Sequence, residues 1–481
     1  MYYRRNMPKF SKHFKINAPQ SQLDFVDVST DYDLPVYLDP YALEIQDDVW
    51  SGQCSELIRT FFTEVLEALR QKDNTRAINI MSHLHEPPET FLGVSKGEPK
   101  GKGVGAKQAR QIISSIKRSK AYQSGVLSDL SEVALFVEGV GRDKISDLTT
   151  NILRRKLVEY TQQVCDLSGI DLEDYNGPPA WDGVRKNWVN KTYRLPRING
   201  VPIILIPKFA VRRELSLNSQ EFYNKQITDF LMAEHERATS SLTAVLKAPP
   251  KATKGEIREK NPKTKNMLAE FAAEHPNLLN IYKDLAREEA RIMVNIAKDD
   301  ISVAQACIDL QKALEATPSG TEHASRFHMI SMHALTLCFF PSLIQPHKEW
   351  EINDGRKRID IVYTNAADTG FFSHRRDAKN TAATMLIVEC KNYSSDIENP
   401  ELDQLLGRFD NNRGHLGFII CRAVDKPKKL LSKCQDYAKS GKAYILVFDD
   451  SDILRLLEAR KMGDEDQMEA ILHAKFRAII S

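Results

Sequence analysis

The chain has 481 residues, which is too long for one ordinary hydrophobic core and predicts two to three domains. Its 42% hydrophobic and 27% charged residues are typical of a folded soluble protein and exclude a largely disordered chain. The net charge is only +2, so any affinity for nucleic acid has to come from local basic patches.

Cysteine usage and hydropathy bear on the compartment. Seven cysteines lie far apart without a CxxC pair, and we predict reduced, mostly buried thiols in a cytoplasmic protein. The longest uncharged apolar stretch, 329–346, is interrupted by His333 and Pro341, so we expect a buried core helix and no membrane association. The basic N-terminus lacks the apolar run of a secretion signal, and a basic organelle-targeting leader remains an alternative.

Residues 1–246 are predicted to form a helix-rich α+β region of unknown fold, in one or two subdomains. Apolar residues recur at helical spacing in 55–71 and 106–119, while VPIILIPK (201–208) is a strand candidate before a further helical run at 218–234. This region could sense a trigger, bind a partner protein or mediate homo-oligomerisation.

Two features of this region have modest functional alternatives. The glycine- and lysine-rich segment VSKGEPKGKGVGAKQAR precedes a helix, where backbone N–H groups attract anions, but the GxxxxGK[ST] pattern is absent. We therefore favour a flexible loop over a phosphate or nucleic-acid contact. Asp143 and Asp147 lie near a predicted helix start, and helix capping is the expected role.

A basic segment follows the N-terminal region. Residues 247–265 contain seven basic and two acidic side chains with three prolines, which favours an exposed linker over a phosphate-contacting arm. Connecting helices are predicted over 266–316, beginning with a long helix over 264–296 that breaks at His275 and Pro276.

The candidate catalytic residues begin in EWEINDGRKRIDIVYTN, which predicts two strands joined by a turn at Asn353, Asp354 and Gly355. Asp360 lies in the second strand between two isoleucines, where a carboxylate is costly to desolvate unless a cation or hydrogen bonds compensate. Asp360 is therefore a candidate metal ligand.

The next predicted strand, MLIVECKNY (385–393), ends with an acid and a base separated by one residue. Because strand side chains alternate, Glu389 and Lys391 point to the same face. Phosphodiester hydrolysis uses this combination: oxygen ligands for Mg²⁺ and a cation beside the attacking water. The structural alternative is a surface ion pair worth about 0–1 kcal/mol.

An acid on one strand followed by ExK on the next resembles the PD-(D/E)xK nuclease superfamily, with its restriction-endonuclease-like fold. The resemblance covers roughly 317–457, including a helix at 322–339 before the hairpin and a helix, strand, helix and strand after ExK. It implies an α/β domain over 317–481 with a central mixed sheet flanked by helices, and a Mg²⁺ (or Mn²⁺) cofactor.

The resemblance also implies site residues. Asp360, Glu389 and Lys391 would be catalytic together with Gln404, a glutamine in the helix after ExK. Glu322 in the first helix would join Asp360 and Glu389 as a metal ligand. The structural alternatives are a first-turn acid complementing the helix dipole for Glu322 and a surface amide for Gln404.

The spacing departs from a simple strand connection, because 28 residues separate Asp360 from Glu389. The intervening segment is predicted to be a polar loop with Arg375, Arg376 and Lys379 as candidate nucleic-acid contacts; the alternative is a mobile surface insertion.

Taken together, the sequence predicts a metal-dependent endonuclease that hydrolyses phosphodiester bonds in DNA, plausibly in microbial restriction or anti-phage defence. DNA is favoured over RNA as the nucleic-acid partner. The alternatives are a nucleic-acid-binding or scaffold protein with a degenerate nuclease domain, and a nuclease acting on RNA. Fold analogy alone does not decide among them.

Overall fold

The structure is a computed structural model that describes residues 8–16, 18–83, 86–93, 106–243, 253–290, 302–352, 357–393, 397 and 399–481. The predicted turn at 353–356, the glycine- and lysine-rich loop at 94–105 and residues 247–252 of the basic segment lie outside the described residues.

Helices dominate the first half of the described chain. They are α1 (Phe10–His13), α2 (Pro40–Glu44), α3 (Val49–Arg70), α4 (Asn74–Ser82), α5 (Ala106–Arg118), α6 (Lys120–Ser124), α7 (Leu130–Phe136), α8 (Arg142–Ser168), α9 (Ser219–Glu221), α10 (Thr228–Thr243), α11 (Lys254–Lys260), α12 (Lys265–Glu274) and α13 (Pro276–Ala290). A π-helical turn (Phe222–Ile227) joins α9 to α10.

The strands of this half are short and form two-stranded pairs. They are β1 (Tyr37–Leu38), β2 (Glu173–Asn176), β3 (Ala180–Asp182), β4 (Asn187–Val189), β5 (Thr192–Leu195), β6 (Arg197–Ile198), β7 (Val201–Pro202) and β8 (Val211–Arg212). The helix-rich character predicted for this region is therefore confirmed.

The second half contains α14 (Val303–Glu315), α15 (Ala324–Phe339), β9 (Leu343–Ile352), β10 (Lys357–Asn365), α16 (Gly370–Asp377), β11 (Met385–Lys391), α17 (Asn399–Leu406), β12 (Leu416–Cys421), α18 (Pro427–Lys439), β13 (Tyr444–Phe448), α19 (Asp450–Met462) and α20 (Glu465–Ile480). Five strands form one sheet in the order β13-β12-β11-β10-β9.

This sheet is mixed. Strands β9, β10 and β11 pair antiparallel, whereas β11, β12 and β13 pair parallel. The parallel strands are buried along nearly their whole length, as expected for strands covered on both faces. Helix α15 packs against β9 to β11, and α18 and α20 pack against β13. The predicted central mixed sheet flanked by helices is present.

Three sequence predictions for the first half need correction. VPIILIPK does not form a strand beyond Val201–Pro202, although residues 203–206 are fully buried. Its backbone groups bond to scattered partners instead: Ile204 N donates to Glu89 O and Ile206 O accepts from Val26 N. A segment whose neighbours come from different parts of the chain satisfies its backbone without joining a sheet.

Helix α8 begins differently from the predicted cap. Its N-cap is Gly141 and makes no side-chain capping bond, so neither Asp143 nor Asp147 caps the helix. Asp143 lies in the first turn and Asp147 one turn further along. The basic segment is also partly helical rather than a loop, because Thr253 and Glu256 form a capping box that starts α11.

Other helix predictions are confirmed. The helix expected over 264–296 is present up to Ala290 as α12 and α13, broken at His275 and Pro276, whereas 291–296 lie outside the described residues. The buried core helix is α15, and no helix among the described residues is long and apolar enough to cross a membrane. All seven cysteines are free and buried, as predicted.

Two hydrophobic cores organise the described residues. The first runs from Phe10 to Ala286 and also takes in Phe340, Ile344 and Ala366. The second is built around the five-stranded sheet and includes α14, which lies before the boundary predicted at residue 317. The two parts contact each other, for example where Gln22 Nε2 donates to Ala306 O at 3.3 Å.

Candidate active site

The strand register brings the two predicted acids to one face of the sheet. Ile361 lies opposite Val388 in the antiparallel pair of β10 and β11, so the register continued by one residue places Asp360 opposite Glu389. Opposite residues of antiparallel strands share a face. The Cys390 backbone N–H donates to Asp360 Oδ2 at 2.8 Å. The Asp360 carboxylate thus accepts a backbone hydrogen bond at the end of the pairing between β10 and β11.

Glu389 is fully buried and is held by two cations. Lys391 Nζ lies 3.3 Å from Glu389 Oε2, and Arg408 Nε lies 3.4 Å from Glu389 Oε1. Lys391 and Arg408 are themselves 7% and 6% exposed. The alternative of a surface ion pair between Glu389 and Lys391 is therefore wrong, because burying these charges requires the mutual compensation seen here.

The surroundings of Glu389 raise the pKa of its carboxyl group. Burial raises the pKa of the Glu389 carboxyl, and the negative charge of Asp360 raises it further. Lys391 and Arg408 offset these effects only in part, so the pKa reaches about 7. Burial, the largest of these causes, therefore keeps the pKa of Glu389 high even though two cations contact its carboxylate.

Lys391 occupies the centre of the cluster. Its ammonium donates to Gln404 Oε1 at 3.2 Å as well as to Glu389. Burial lowers the pKa of Lys391, but the charges of Glu389 and Asp360 outweigh burial and raise the pKa above its usual value. Lys391 is thus a fixed cation at neutral pH, and the hydrogen bond to Gln404 on α17 helps to orient it.

Helix α15 also reaches this end of the sheet. His328 Nε2 lies 3.1 Å from the Cys390 carbonyl oxygen and 3.9 Å from Asp360 Oδ2. The helix therefore contacts both the strand that carries Glu389 and the carboxylate on the neighbouring strand. The sequence analysis had not identified His328 as part of the site.

Glu322 has a different position from the other predicted ligands. It is exposed in a short 3-10 turn, Thr321–His323, directly before α15. This turn is anchored beside the site because Asn392 Nδ2 donates to Gly320 O at 2.7 Å. However, no group of three or more His, Cys, Asp or Glu side chains in the described part of the chain could hold a metal ion. The metal-binding role of Glu322 stays a prediction.

The donor set that does come together suits Mg²⁺. Asp360 and Glu389 offer carboxylate oxygens, and Mg²⁺ is typically bound by one or two carboxylates while water and substrate phosphates complete its octahedron. The raised pKa of Glu389 means that a nearby cation would favour its charged form. A site for Zn²⁺ would call for several imidazole or thiolate ligands, which differ from this set.

The segment between Asp360 and Glu389 is not the predicted loop. It contains α16, whose Phe371 and Phe372 are buried in the second core. It joins the far ends of β10 and β11, and Met385 at the start of β11 lies about 13 Å from Glu389 at the usual strand rise. The insertion therefore leaves the sheet at the end opposite the acids.

The predicted basic contacts of this insertion have local partners. The Arg375 guanidinium lies 4.2 Å from the centre of the Phe476 ring, and Arg376 Nη2 lies 3.1 Å from Asp47 Oδ2. Lys379 is exposed. Nucleic-acid binding by these three side chains remains a prediction, and for the two arginines it would compete with the contacts they already make.

Arg408 is the main charged residue of the cluster that the sequence analysis missed. Gln404 and Arg408 are four residues apart, a spacing that places side chains on the same helix face. Helix α17 ends at Leu406, but backbone bonds continue the turn to Arg408, whose N–H donates to Leu405 O at 2.9 Å. The same spacing rule applied past the helix end would have found Arg408.

Comparison with known proteins identifies one similarity, and it lies outside this cluster. A family model described as a domain of unknown function (DUF8370) matches residues 15–218, within the helix-rich first part. No curated protein and no solved structure matches the chain. The first part of the chain is therefore similar to a recurrent domain, whereas the argument for the candidate site rests on its residues and geometry.

Proposed function

We propose that this protein is a metal-dependent endonuclease that hydrolyses phosphodiester bonds in DNA, with the candidate site at the end of β10 and β11 as its active site. The single observation that carries this proposal is the same-face arrangement of Asp360, Glu389 and a buried Lys391. Two acids beside a fixed cation are the groups that metal-assisted phosphodiester cleavage requires.

Asp360 and Glu389 would hold the metal ion, Mg²⁺ or Mn²⁺. The ion would polarise the scissile phosphate and lower the pKa of a bound water. Asp360 is suited to this contact because its side chain is 22% exposed, whereas Glu389 supplies a buried oxygen behind it. Arg408 and the Cys390 backbone N–H keep the two carboxylates in position.

Lys391 would act as a positive charge near the attacking water or the phosphate. Its raised pKa argues against a general base, because a base must be free of its proton at working pH. The hydrogen bond that Lys391 donates to Gln404 Oε1 limits the directions that the ammonium can take. Stabilising charge that develops in the transition state is the larger catalytic contribution of such a preorganised group.

The decisive experiment incubates the purified full chain with supercoiled DNA, linear DNA and RNA, with Mg²⁺, with Mn²⁺ or with excess chelator. We expect cleavage of DNA that needs the divalent ion. Glu389→Gln should abolish cleavage in a folded protein, whereas Glu458→Gln, an exposed glutamate of the same domain, should leave cleavage unchanged. Undiminished cleavage in chelator would rule out the site.

The same experiment separates the alternatives. Cleavage of RNA but not DNA would keep the site and change the substrate. Nucleic-acid binding without cleavage under every metal condition would favour a scaffold with a degenerate nuclease domain. A role in microbial restriction or anti-phage defence, and a partner or second copy at the first part of the chain, are proposals that rest on the resemblance and on the size of that part. The seven buried thiols support a reducing, cytoplasmic compartment.

A further inference from the structure

A basic groove lies on the first part of the chain, away from the candidate active site. It runs between α5 and the residues leading into α8 and has a volume of about 540 Å³. Its lining includes the cations Lys107, Arg110, Arg118 and Lys144 together with Ser114 and Ser115, and none of the described residues that line it carries a carboxylate. We call it the α5–α8 groove.

The spacing of the lining residues follows from helix geometry. Lys107, Arg110, Ser114 and Arg118 recur at intervals of three or four residues, so they form one stripe along α5. At 1.5 Å per residue the stripe is about 16 Å long, with side chains spaced by about 5 Å. The neighbouring stripe, with Ile113 and other apolar residues, is buried in the first core and fixes the orientation of the helix.

The cations in the groove differ from other cations nearby in their partners. Among the described residues, Lys107, Arg110 and Arg118 make no salt bridge, and Lys144 Nζ donates only to the Gly139 carbonyl oxygen at 2.7 Å. Outside the groove, Lys117 Nζ donates to Asn74 Oδ1 at 3.1 Å and Lys120 Nζ lies 3.4 Å from Glu270 Oε1. Among the described residues, the three groove cations of α5 thus have no acidic partner, whereas Lys120 outside the groove has one.

We propose that the α5–α8 groove binds the phosphodiester backbone of double-stranded nucleic acid. Unpaired lysine and arginine side chains displace condensed counterions from phosphates, and serine hydroxyls donate hydrogen bonds to phosphate oxygens. The length of the stripe exceeds a single phosphate group and fits a run of several. The choice of DNA as the duplex rests on the proposed function; the binding of a phosphate backbone does not.

Other polyanions fit the groove less well. The part of the lining that the structure describes has no aromatic side chain on which unpaired bases could stack, which disfavours single strands. Its apolar members, Ile112 and Val140, are buried, so the groove offers no side chain to insert into a lipid surface, unlike membrane-binding amphipathic helices.

The test measures binding of a labelled 20-base-pair duplex to the full chain by fluorescence anisotropy, in chelator so that no cleavage occurs, over a series of salt concentrations. The groove variant is Arg110→Gln with Arg118→Gln. The matched control, Lys117→Gln with Lys120→Gln, removes the same charge from the same stretch of helices outside the groove. A third variant, Arg110→Lys with Arg118→Lys, keeps the charge.

We expect the groove variant to bind about tenfold more weakly at moderate salt, and its log–log salt slope to fall by about two, one for each lost phosphate contact. The control should change affinity by less than about twofold, and the lysine variant should stay close to the parent. Circular dichroism of each variant verifies the fold.

Three results would overturn the inference. They are equal losses in the groove and control variants, no loss in a folded groove variant, and no duplex binding by the parent. A different result would identify the site as a membrane contact: the groove variant would bind phosphatidylserine vesicles more weakly than the parent does, but would bind the duplex as the parent does. Duplex binding is measured without metal, so a negative result would disprove the groove proposal alone. The cleavage test of Glu389→Gln would still test the proposed function independently.

Discussion

At the scale of single residues, Lys391 is the member of the candidate site with the most closely defined contacts. It is buried, bonded to Glu389 and Gln404, and protonated at neutral pH. If Lys391 served only to neutralise Glu389, its role would be structural. Arg408 would then share that role, because it contacts the other carboxylate oxygen of Glu389. A residue acting in the transition state would matter for turnover more than for binding.

Lys391→Ala should separate these roles. The carboxylates of Asp360 and Glu389 remain and lose one competing cation, so Mn²⁺ affinity, measured by calorimetry, should persist or increase. Turnover of DNA should fall by two or more orders of magnitude, as expected for loss of an electrostatic group at the reacting centre. Lys439→Ala on α18 is the control, because that lysine is exposed in the same domain. Parental cleavage by a folded Lys391→Ala protein would refute the mechanism.

The sequence predicted part of this cluster for a clear physical reason. Strand alternation places Glu389 and Lys391 on one face whatever the rest of the fold does. The contact of Arg408 with Glu389 depends on how α17 packs onto the sheet, and the proximity of His328 depends on where α15 crosses it. Such contacts come from tertiary packing, which local periodicity does not encode.

At the scale of elements, the 27-residue helix α8 is the central support of the first part. It packs against α3, α7 and β1, among other elements, and most of its side chains are buried. Two of its polar residues lie in very different surroundings. Asp147 faces other acids, whereas Arg154 is fully buried in an ion pair with Glu89 at 3.0 Å.

Asp147 should make stability depend on pH. Burial raises the pKa of its carboxyl, and the nearby Asp143, Glu86 and Asp33 raise it further, to about 8. A raised pKa means that the folded state keeps the proton while the unfolded state loses it, so stability falls as pH rises from about 4 to about 8. Asp147→Asn cannot lose that proton.

The free energy of unfolding of Asp147→Asn relative to the parent should therefore grow between pH 5 and pH 8. Raising the pKa from 3.8 to about 8 is worth about 6 kcal/mol at full strength, and because part of the side chain meets solvent we expect about 1–2 kcal/mol between pH 5 and pH 8. Urea unfolding at both pH values measures it. Asp166→Asn, which replaces an exposed carboxyl of the same helix, is the control; a difference for Asp147→Asn that grows with pH no more than that of the control would contradict the prediction.

The buried pair on α8 makes a second prediction. Arg154 is 0% exposed and Glu89 is 3% exposed, and the Tyr175 hydroxyl also donates to Glu89. Arg154→Met leaves a buried carboxylate without its cation and should cost about 3–5 kcal/mol. The neighbouring exposed pair of Arg155 with Glu159 provides the control, and Arg155→Met should cost less than about 1 kcal/mol.

Chemical denaturation of both variants checks the difference. If Arg154→Met and Arg155→Met were destabilised equally, the pair on α8 would not be buried as the structure has it. A Glu89→Leu change combined with Arg154→Met should recover part of the loss, because it removes both charges together.

Whether an apolar run was correctly predicted as a strand depended on where its backbone groups find hydrogen-bond partners. Strand β11 was predicted from an apolar run of strand length, and the structure bears this out because the run pairs with β10 over Met385–Val388 and with β12 over Ile387–Lys391. The equally apolar VPIILIPK failed because its backbone bonds go to separate segments, including those around Glu89 and Val26. Both sequences signal burial; only the tertiary arrangement decides whether burial occurs within a sheet.

At the scale of the whole molecule, the second hydrophobic core begins earlier in the chain than the domain boundary predicted from the sequence. The sequence placed the start of the second domain at residue 317, where the resemblance begins. In the structure, Cys307, Leu310 and Leu314 of α14 belong to the second core, and α14 packs against α15 and α19. Arg422 further fastens this segment by donating to Leu314 O at 3.4 Å.

Fragments that start on either side of α14 test this division. Burying a leucine-sized side chain contributes about 1.5–3 kcal/mol, so losing the buried face of α14 removes an amount comparable with the 5–15 kcal/mol stability of a typical domain. We expect a fragment of residues 302–481 to unfold cooperatively in urea with native near-ultraviolet dichroism, and a fragment of residues 317–481 to lack both. Leu310→Ala with Leu314→Ala in the longer fragment should lower its midpoint toward the shorter one. Equal midpoints for the two parental fragments would return the boundary to residue 317, whereas failure of the longer fragment to fold would mean that the second core depends on the first, through contacts such as those of Phe340 and Ile344.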